Sequence, residues 1–249
     1  MSTTNRGRAR IGVLVPYTNQ NLESDLIELR PQGVSVHFAR LGGYDVDEIP
    51  DETQMAGLGA SDLAEPLRLI AGVRPDVVLY GCTSATLTHG PDFDRDLARR
   101  INETIGVPSI TAAGALVAAL KTLGVAQVGF SSPYVGAIND QAVAFLALHG
   151  IRTVARHDIG RELGNYGQGE LTPDAVFDLA LGADHPDAGA VVLSCTDMRS
   201  VEVVERLEAA LGKPVVTSNQ AMMYQAVLAL GIEPAEVDCG RLFKAGAAR

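Results

Sequence analysis

A chain of 249 residues, 47% of them apolar, has the hydrophobic material for one large domain or two small ones. Its net charge of −10 opposes binding to nucleic acid or to an anionic membrane surface, because both need a basic field to neutralise phosphates. Three cysteines without a CxxC pair or Cys/His ligand spacing fit neither a disulfide framework nor a zinc site. Lys121 interrupts the longest Ala/Leu/Val run, and the polar opening from Met1 to Arg10 lacks the apolar core of a secretory leader, so a cytoplasmic, reducing setting is expected.

Short apolar runs alternate with segments of helical period, the pattern of an α/β protein with mainly parallel sheets. The first predicted strand is Ile11-Gly12-Val13-Leu14-Val15. Asn19 follows, placed to cap a helix with Leu22, Leu26 and Leu29 on one face. Residues 34–41 alternate as a strand, and a helix over about 62–71 buries Leu63, Leu67 and Ile70. Pro75 opens the strand Val77-Val78-Leu79-Tyr80 that leads into Gly81-Cys82-Thr83-Ser84. A helix is expected after Pro91, then a strand over 107–111 and an apolar helix from about Gly114 to Leu123.

The second half repeats this order. Ile11-Gly12-Val13-Leu14-Val15-Pro16-Tyr17 returns as Val128-Gly129-Phe130-Ser131-Ser132-Pro133-Tyr134, Cys82 returns as Cys195, and Pro108 returns as Pro214. The offset falls from 117 to 113 to 106, as loop trimming between duplicated units would make it. Two pseudosymmetric α/β lobes are expected, the first from 1–112 plus 217–249 and the second from 113–216, with a cleft between them. Residues 158–172, rich in glycine and polar side chains, are a candidate mobile loop over that cleft.

Cys82 and Cys195 end the corresponding buried strands of the two halves, where parallel sheets present their ligand sites. A single buried cysteine is most often a small hydrophobe, and Cys239 is read that way. Repeat symmetry, strand-end placement and the shared Cys-Thr step separate the other two from it. A helix start lowers a thiol pKa, so amides of residues 83, 84 and 196 are candidates to stabilise a thiolate or bind a carboxylate. Asn19 and Tyr134 occupy the other strand ends; the first serves equally as a helix cap and the second as a packing residue. Thr83, Ser84 and Thr196 add hydroxyls that also suit caps, and Asn165 lies in the 158–172 loop.

Other motifs are absent or weak. Gly57-Leu58-Gly59 does not follow the first strand and lacks a third glycine, no Walker lysine pattern occurs, and Gly81-Cys82-Thr83-Ser84 is not a GxSxG elbow. His89 reads as a solvated loop histidine and residues 92–100 as an exposed charged helix face.

With these residues in view, the chain resembles the aspartate/glutamate racemase superfamily, and within it the maleate isomerase and arylmalonate decarboxylase branch. The duplicated strand-Cys pair carries the resemblance, together with Pro16-Tyr17-Thr18-Asn19-Gln20-Asn21-Leu22-Glu23, which is similar to the Pro-Ser-Ser-Asn stretch of maleate isomerases. The resemblance implies a racemase-like two-lobed fold and cis-trans isomerisation of maleate without metal or other cofactor. Cys82 would be the nucleophile and Cys195 the acid/base, with Asn19, Tyr134 and Asn165 on the substrate carboxylates and Thr196 assisting. Thr83-Ser84 is closer to the hydroxyl-rich pocket of arylmalonate decarboxylase, which however has glycine where this chain has Cys82. Pro16-Tyr17 replaces the Asp-Ser pair usual in amino-acid racemases. A two-thiol racemase or decarboxylase of a small carboxylate, including members linked to ectoine breakdown, is the second enzymatic reading, and a non-catalytic small-ligand sensor the third. Duplication and acidic charge are compatible with a homo-oligomer.

Overall fold

A computed structural model describes residues 7–42, 57, 62–134 and 136–245. In the first half β1 (Ala9–Pro16), α1 (Leu22–Leu29), β2 (Val34–Leu41), α2 (Ala64–Ala71), β3 (Val77–Tyr80), α3 (Thr83–Leu87), α4 (Gly90–Ile105) and β4 (Ser109–Thr111) follow in order. Helix α5 (Ala112–Thr122) leads into β5 (Gln127–Ser132), α6 (Gly136–Leu148), β6 (Arg152–Asp158), α7 (Pro173–Leu181), β7 (Ala190–Leu193), α8 (Val204–Leu211) and β8 (Val215–Thr217). Helices α9 (Ser218–Ala229) and α10 (Gly240–Ala245) close the described chain. Leu58 and Gly59 of the Gly57-Leu58-Gly59 stretch lie outside the described residues.

The strands form two four-stranded sheets, ordered β2-β1-β3-β4 and β6-β5-β7-β8, with every pairing parallel. One order maps onto the other strand for strand, which is the duplication expected from the sequence. In each sheet the chain leaves the first strand toward one edge and the third toward the other. A crevice therefore opens beyond the carboxyl ends of β1 and β3, and of β5 and β7. Strands β3 and β7 are wholly buried, as runs of Val and Leu covered on both faces must be.

One apolar cluster runs through both halves. It links Ile11, Val13 and Leu79 of the first sheet, through α5 and α9, to Val128, Phe130 and Val192 of the second. Helices α5 and α9 pack on each other, and α9 also reaches α1, β3 and β4. Both begin at a strand-end threonine: the Thr111 hydroxyl accepts the Gly114 amide at 3.1 Å, and Thr217 forms a reciprocal capping box with Gln220. That cap starts α5 at Ala112, two residues before the sequence pattern suggests.

Two glycines set close approaches at the sheet centres. A Cβ on Gly129 would lie 1.9 Å from the Ala183 carbonyl oxygen, and one on Gly81 would lie 2.3 Å from Leu22 Cδ2 and 3.0 Å from the Leu14 carbonyl oxygen. Gly81 thus lets α1 press against the turn that carries Cys82.

Several local expectations are corrected. Pro108 has no N–H to give a ladder, and β4 is reduced to Ser109–Thr111. His89 is the residue preceding α4 and stacks on Phe93 with ring centroids 4.0 Å apart, so it is half-buried and not a solvated loop residue. The charged stretch 92–100 is an exposed face with Arg95–Asp92 and Arg99–Asp96 ion pairs, except that Asp94 is buried.

Candidate active site

Helix α1 starts at Leu22, and Asn19 sits just ahead of it with its Oδ1 accepting the amides of Asn21 (3.2 Å) and Leu22 (2.9 Å). Its amide nitrogen is thereby turned toward the second half, where it donates to Thr196 Oγ1 at 3.1 Å. The Thr196 hydroxyl donates in turn to the Gly81 carbonyl at 2.8 Å. The strand-end turns of the two sheets are stitched together at this point.

Cys82 occupies the residue before α3. A group in that position faces the second and third amides of the helix, so Ser84, as expected, and Ala85, in place of residue 83, point their N–H groups at the sulfur. At Cys195 the amide facing the sulfur belongs to Asp197, at 3.3 Å, and not to residue 196.

The two thiols share one hydroxyl bridge. Cys82 Sγ lies 3.7 Å from Ser84 Oγ, Ser84 Oγ donates to Tyr134 Oη at 3.4 Å, and Tyr134 Oη lies 3.7 Å from Cys195 Sγ. Cys82, Tyr134 and Cys195 lie just past strand ends of the two sheets, and Ser84 stands in the first turn of α3. The structure thus brings Cys82, Ser84, Tyr134 and Cys195 together, with the Asn19–Thr196 pair beside them. The Thr83 hydroxyl is turned away and donates to Ser218 Oγ at 2.9 Å. Asn165 is buried in the 158–172 segment, which is tied down where the Gly169 carbonyl accepts from Asn21 Nδ2 at 3.1 Å.

Both sulfurs are buried, with Tyr134 half-buried beside them. Cys82 and Cys195 are 5% and 2% exposed. Burial pushes the Cys82 thiol up from its ordinary value despite the Ala85 and Ser84 groups facing it. Burial and then the Asp197 carboxylate push Cys195 up to about 12. Burial, followed by the two neighbouring sulfurs, holds Tyr134 well above the usual phenol range. The lowered thiol pKa expected from a helix start is therefore not found, because desolvation outweighs a few amide dipoles in a dry site.

Three further residues, Asp197, Arg40 and Asn219, shape the site without having been singled out in the sequence. Asp197 Oδ1 accepts the Gln20 amide (2.6 Å) and the Asn21 amide (3.0 Å), clasping the Asn19 loop to the Cys195 turn. Burial raises its carboxyl to about 6 against those donors. Arg40 Nη1 gathers the carbonyls of Pro16, Tyr17 and Asn19 at 3.3, 2.9 and 2.9 Å, while Nη2 pairs with Glu23. Asn219 Nδ2 donates to Asp25 Oδ2 (2.7 Å) and to the Thr196 carbonyl (3.0 Å) behind Cys195. The available signal was position: Asp197 is two residues past a strand-end cysteine, and Asn219 two past β8. Among the described residues no group of three His, Cys, Asp or Glu side chains is arranged to hold a metal ion, and no helix is long and apolar enough to cross a membrane.

Paired strand-end thiols on duplicated parallel sheets, joined through shared hydroxyls, define a two-cysteine α/β enzyme fold. Residues 11–243 match the family model described as arylmalonate decarboxylase, and the chain belongs to that family. The maleate isomerase of Alcaligenes faecalis is 25% identical over 248 residues, covering 94% of this chain and 95% of that protein. The arylmalonate decarboxylase of Bordetella bronchiseptica is 30% identical over 164 residues, 65% of this chain and 68% of that one. A cysteine-to-serine mutant of Nocardia farcinica maleate cis-trans isomerase, solved with a covalently bound succinylcysteine intermediate, superposes with a TM-score of 0.85 at 25% identity and covers 94% of this chain and 98% of that one.

Proposed function

We propose that this protein is a cis-trans isomerase of a small dicarboxylate, converting maleate to fumarate without metal or nucleotide, in the cytoplasm. Cys82 as thiolate adds to one alkene carbon. The electron pair moves to the neighbouring carbon and into its carboxylate, the former double bond rotates, and elimination of the thiolate gives the trans alkene. Cys195 delivers or removes the proton on the neighbouring carbon. Asn19, Ser84, Tyr134, Asn165, Thr196 and nearby amides are assigned to the substrate carboxylates and the developing charge, and Thr83, whose hydroxyl is turned to Ser218, is set aside. The observation that carries this reading is the Cys82–Ser84–Tyr134–Cys195 arrangement, two buried thiols bridged by two hydroxyls. The succinylcysteine in the Nocardia farcinica relative supports the covalent step.

The test is direct. Proton NMR should show fumarate growing from maleate with the wild-type protein, and intact mass should show an adduct on Cys82 in the Cys195→Ala variant. Neither product nor adduct would end the maleate reading. The hydroxyls of Ser84 and Tyr134 against Cys82 and Cys195 also favour a second reading, a racemase or decarboxylase of a small carboxylate. Deuterium exchange at the α-carbon without alkene conversion would mark the racemase, and carbon dioxide release the decarboxylase.

Arg40 gives an independent check on the Asn19 loop. Arg40→Ala removes the group that joins the carbonyls of Pro16, Tyr17 and Asn19, and lysine cannot reproduce that fork. Both variants are expected to raise KM for the dicarboxylate about tenfold with a smaller change in kcat. Equal losses in kcat with an unchanged KM would show that the loop does not position substrate.

A further inference from the structure

The hydroxyls of Ser84 and Tyr134 stand in series between the two sulfurs, and their order has a direction. Ser84 donates to Tyr134. With that donor assigned, Ser84 Oγ is an acceptor toward the Cys82 thiol, and the Tyr134 hydroxyl is free to donate to Cys195 Sγ. Since either atom can donate in the two sulfur contacts, all three links can be oriented in one sense, from Cys82 toward Cys195.

We propose that Ser84 and Tyr134 form a proton relay between the two thiols, so that once the pair has lost one proton to solvent the remaining proton is carried from Cys82 to Cys195 and the negative charge settles on Cys82. The inference rests on the two-thiol reading above and adds a step that precedes addition to substrate. The Cys82 S–H bond breaks as an O–H bond forms on Ser84. The former Ser84 proton passes to Tyr134, and the former Tyr134 proton passes to a Cys195 thiolate, forming its S–H bond. One proton is transferred overall, a thiolate at 195 becomes a thiolate at 82, and no oxidant or reductant takes part.

An electrostatic asymmetry favours this direction. The Asp197 carboxylate opposes negative charge on both sulfurs, but at Cys195 it is second only to burial, whereas at Cys82 the Ala85 amide and the Ser84 hydroxyl and amide, which favour the charge, outrank it. Cys82, Ser84 and Cys195 are each at most 5% exposed, so bulk water is a poor alternative carrier. The relay also yields the protonation state that the chemistry needs, a nucleophilic thiolate facing a protonated acid.

The test uses the full chain without substrate, so it is readable whether or not maleate is turned over. Native-state alkylation by iodoacetamide is followed peptide by peptide in the wild type, Ser84→Ala, Tyr134→Phe and the double variant. Each single substitution is expected to slow Cys82 modification about tenfold, with no further loss in the double variant, because a chain cut once is already cut. Ser84→Thr, which keeps the hydroxyl, is expected to react at the wild-type rate. The Tyr134→Phe result is the discriminating one, since that variant leaves the Cys82–Ser84 contact in place. Unmodified Cys82 in the wild type, an unchanged rate in Tyr134→Phe, or losses that multiply in the double variant would overturn the relay.

Discussion

Cys82→Ser is expected to lower maleate turnover by about four orders of magnitude, the scale on which removal of a covalent nucleophile acts. Serine fills nearly the same volume, so the buried turn between Gly81 and α3 is kept and the loss reports chemistry. A hydroxyl in a site that already pushes the thiol of Cys82 upward has no route to a useful alkoxide. The partner substitution Cys195→Ala removes both the acid/base and the end of the relay, so the adduct on Cys82 forms about tenfold more slowly than a relayed thiolate would give, yet it accumulates because turnover cannot be completed. The measurements are fumarate formation by proton NMR and intact mass after incubation with maleate. An adduct formed by Cys82→Ser on Cys195 would reverse the assignment of nucleophile and acid/base.

Lowering the pH from about 8 to about 5 is expected to stabilise the protein, against the usual behaviour of a paired carboxylate. The group responsible is Asp25 on α1, which is 5% exposed. Burial raises its carboxyl to about 7, opposed by the Asn219 hydrogen bond and reinforced by Glu28, Glu202 and Asp197. The folded-state value exceeds the unfolded one, so the folded chain holds the proton more tightly. The resulting stabilisation is complete below the unfolded value near ~3.9 and is lost as pH rises through about 7. For a shift of this size the contribution is on the order of 4 kcal/mol. Asp197, raised to about 6, acts with the same sign one step lower. A proton on Asp25 also makes it a donor beside Asn219, whose Oδ1 is buried without a hydrogen-bond partner among the described residues. Asp25→Asn, which cannot ionise, is expected to be more stable than the wild type near pH ~8 and to lose most of the slope. Urea midpoints at several pH values measure both effects, and a wild type whose midpoint falls over the same interval would refute the assignment to Asp25.

The parts of this molecule that were legible beforehand are those in which one residue pattern has one physical solution. Residues 34–41 alternate and form β2 with the expected bounds, and the Val/Leu runs before Cys82 and Cys195 form β3 and β7 because only a doubly covered strand buries them whole. Strand-end logic placed both cysteines and Tyr134, and the resemblance placed the family. What stayed hidden was the direction of side chains and the state of the solvent. Thr83 and Ser84 are neighbours of the same chemical kind, yet one hydroxyl turns to Ser218 and the other to Tyr134, a choice made by the first turn of α3 and invisible in composition. Desolvation likewise depends on how tightly the finished fold closes, so the raised thiols could not be read from a helix start. Arg40 and Asp197 escaped notice because charged side chains serving backbone groups on a distant turn leave no local spacing to find.

The seam where α5 lies on α9 has a consequence for ancestry. Two copies of a single half, each offering the helix after its fourth strand, would meet along such a seam as a twofold pair, with like residues forced to be identical on both sides. Fusion into one polypeptide lifts that constraint while keeping the geometry. It lets one member of the pair carry Ser84 after the shared Cys-Thr step and the other Asp197, so that a formerly symmetric site can treat the two ends of one small molecule differently.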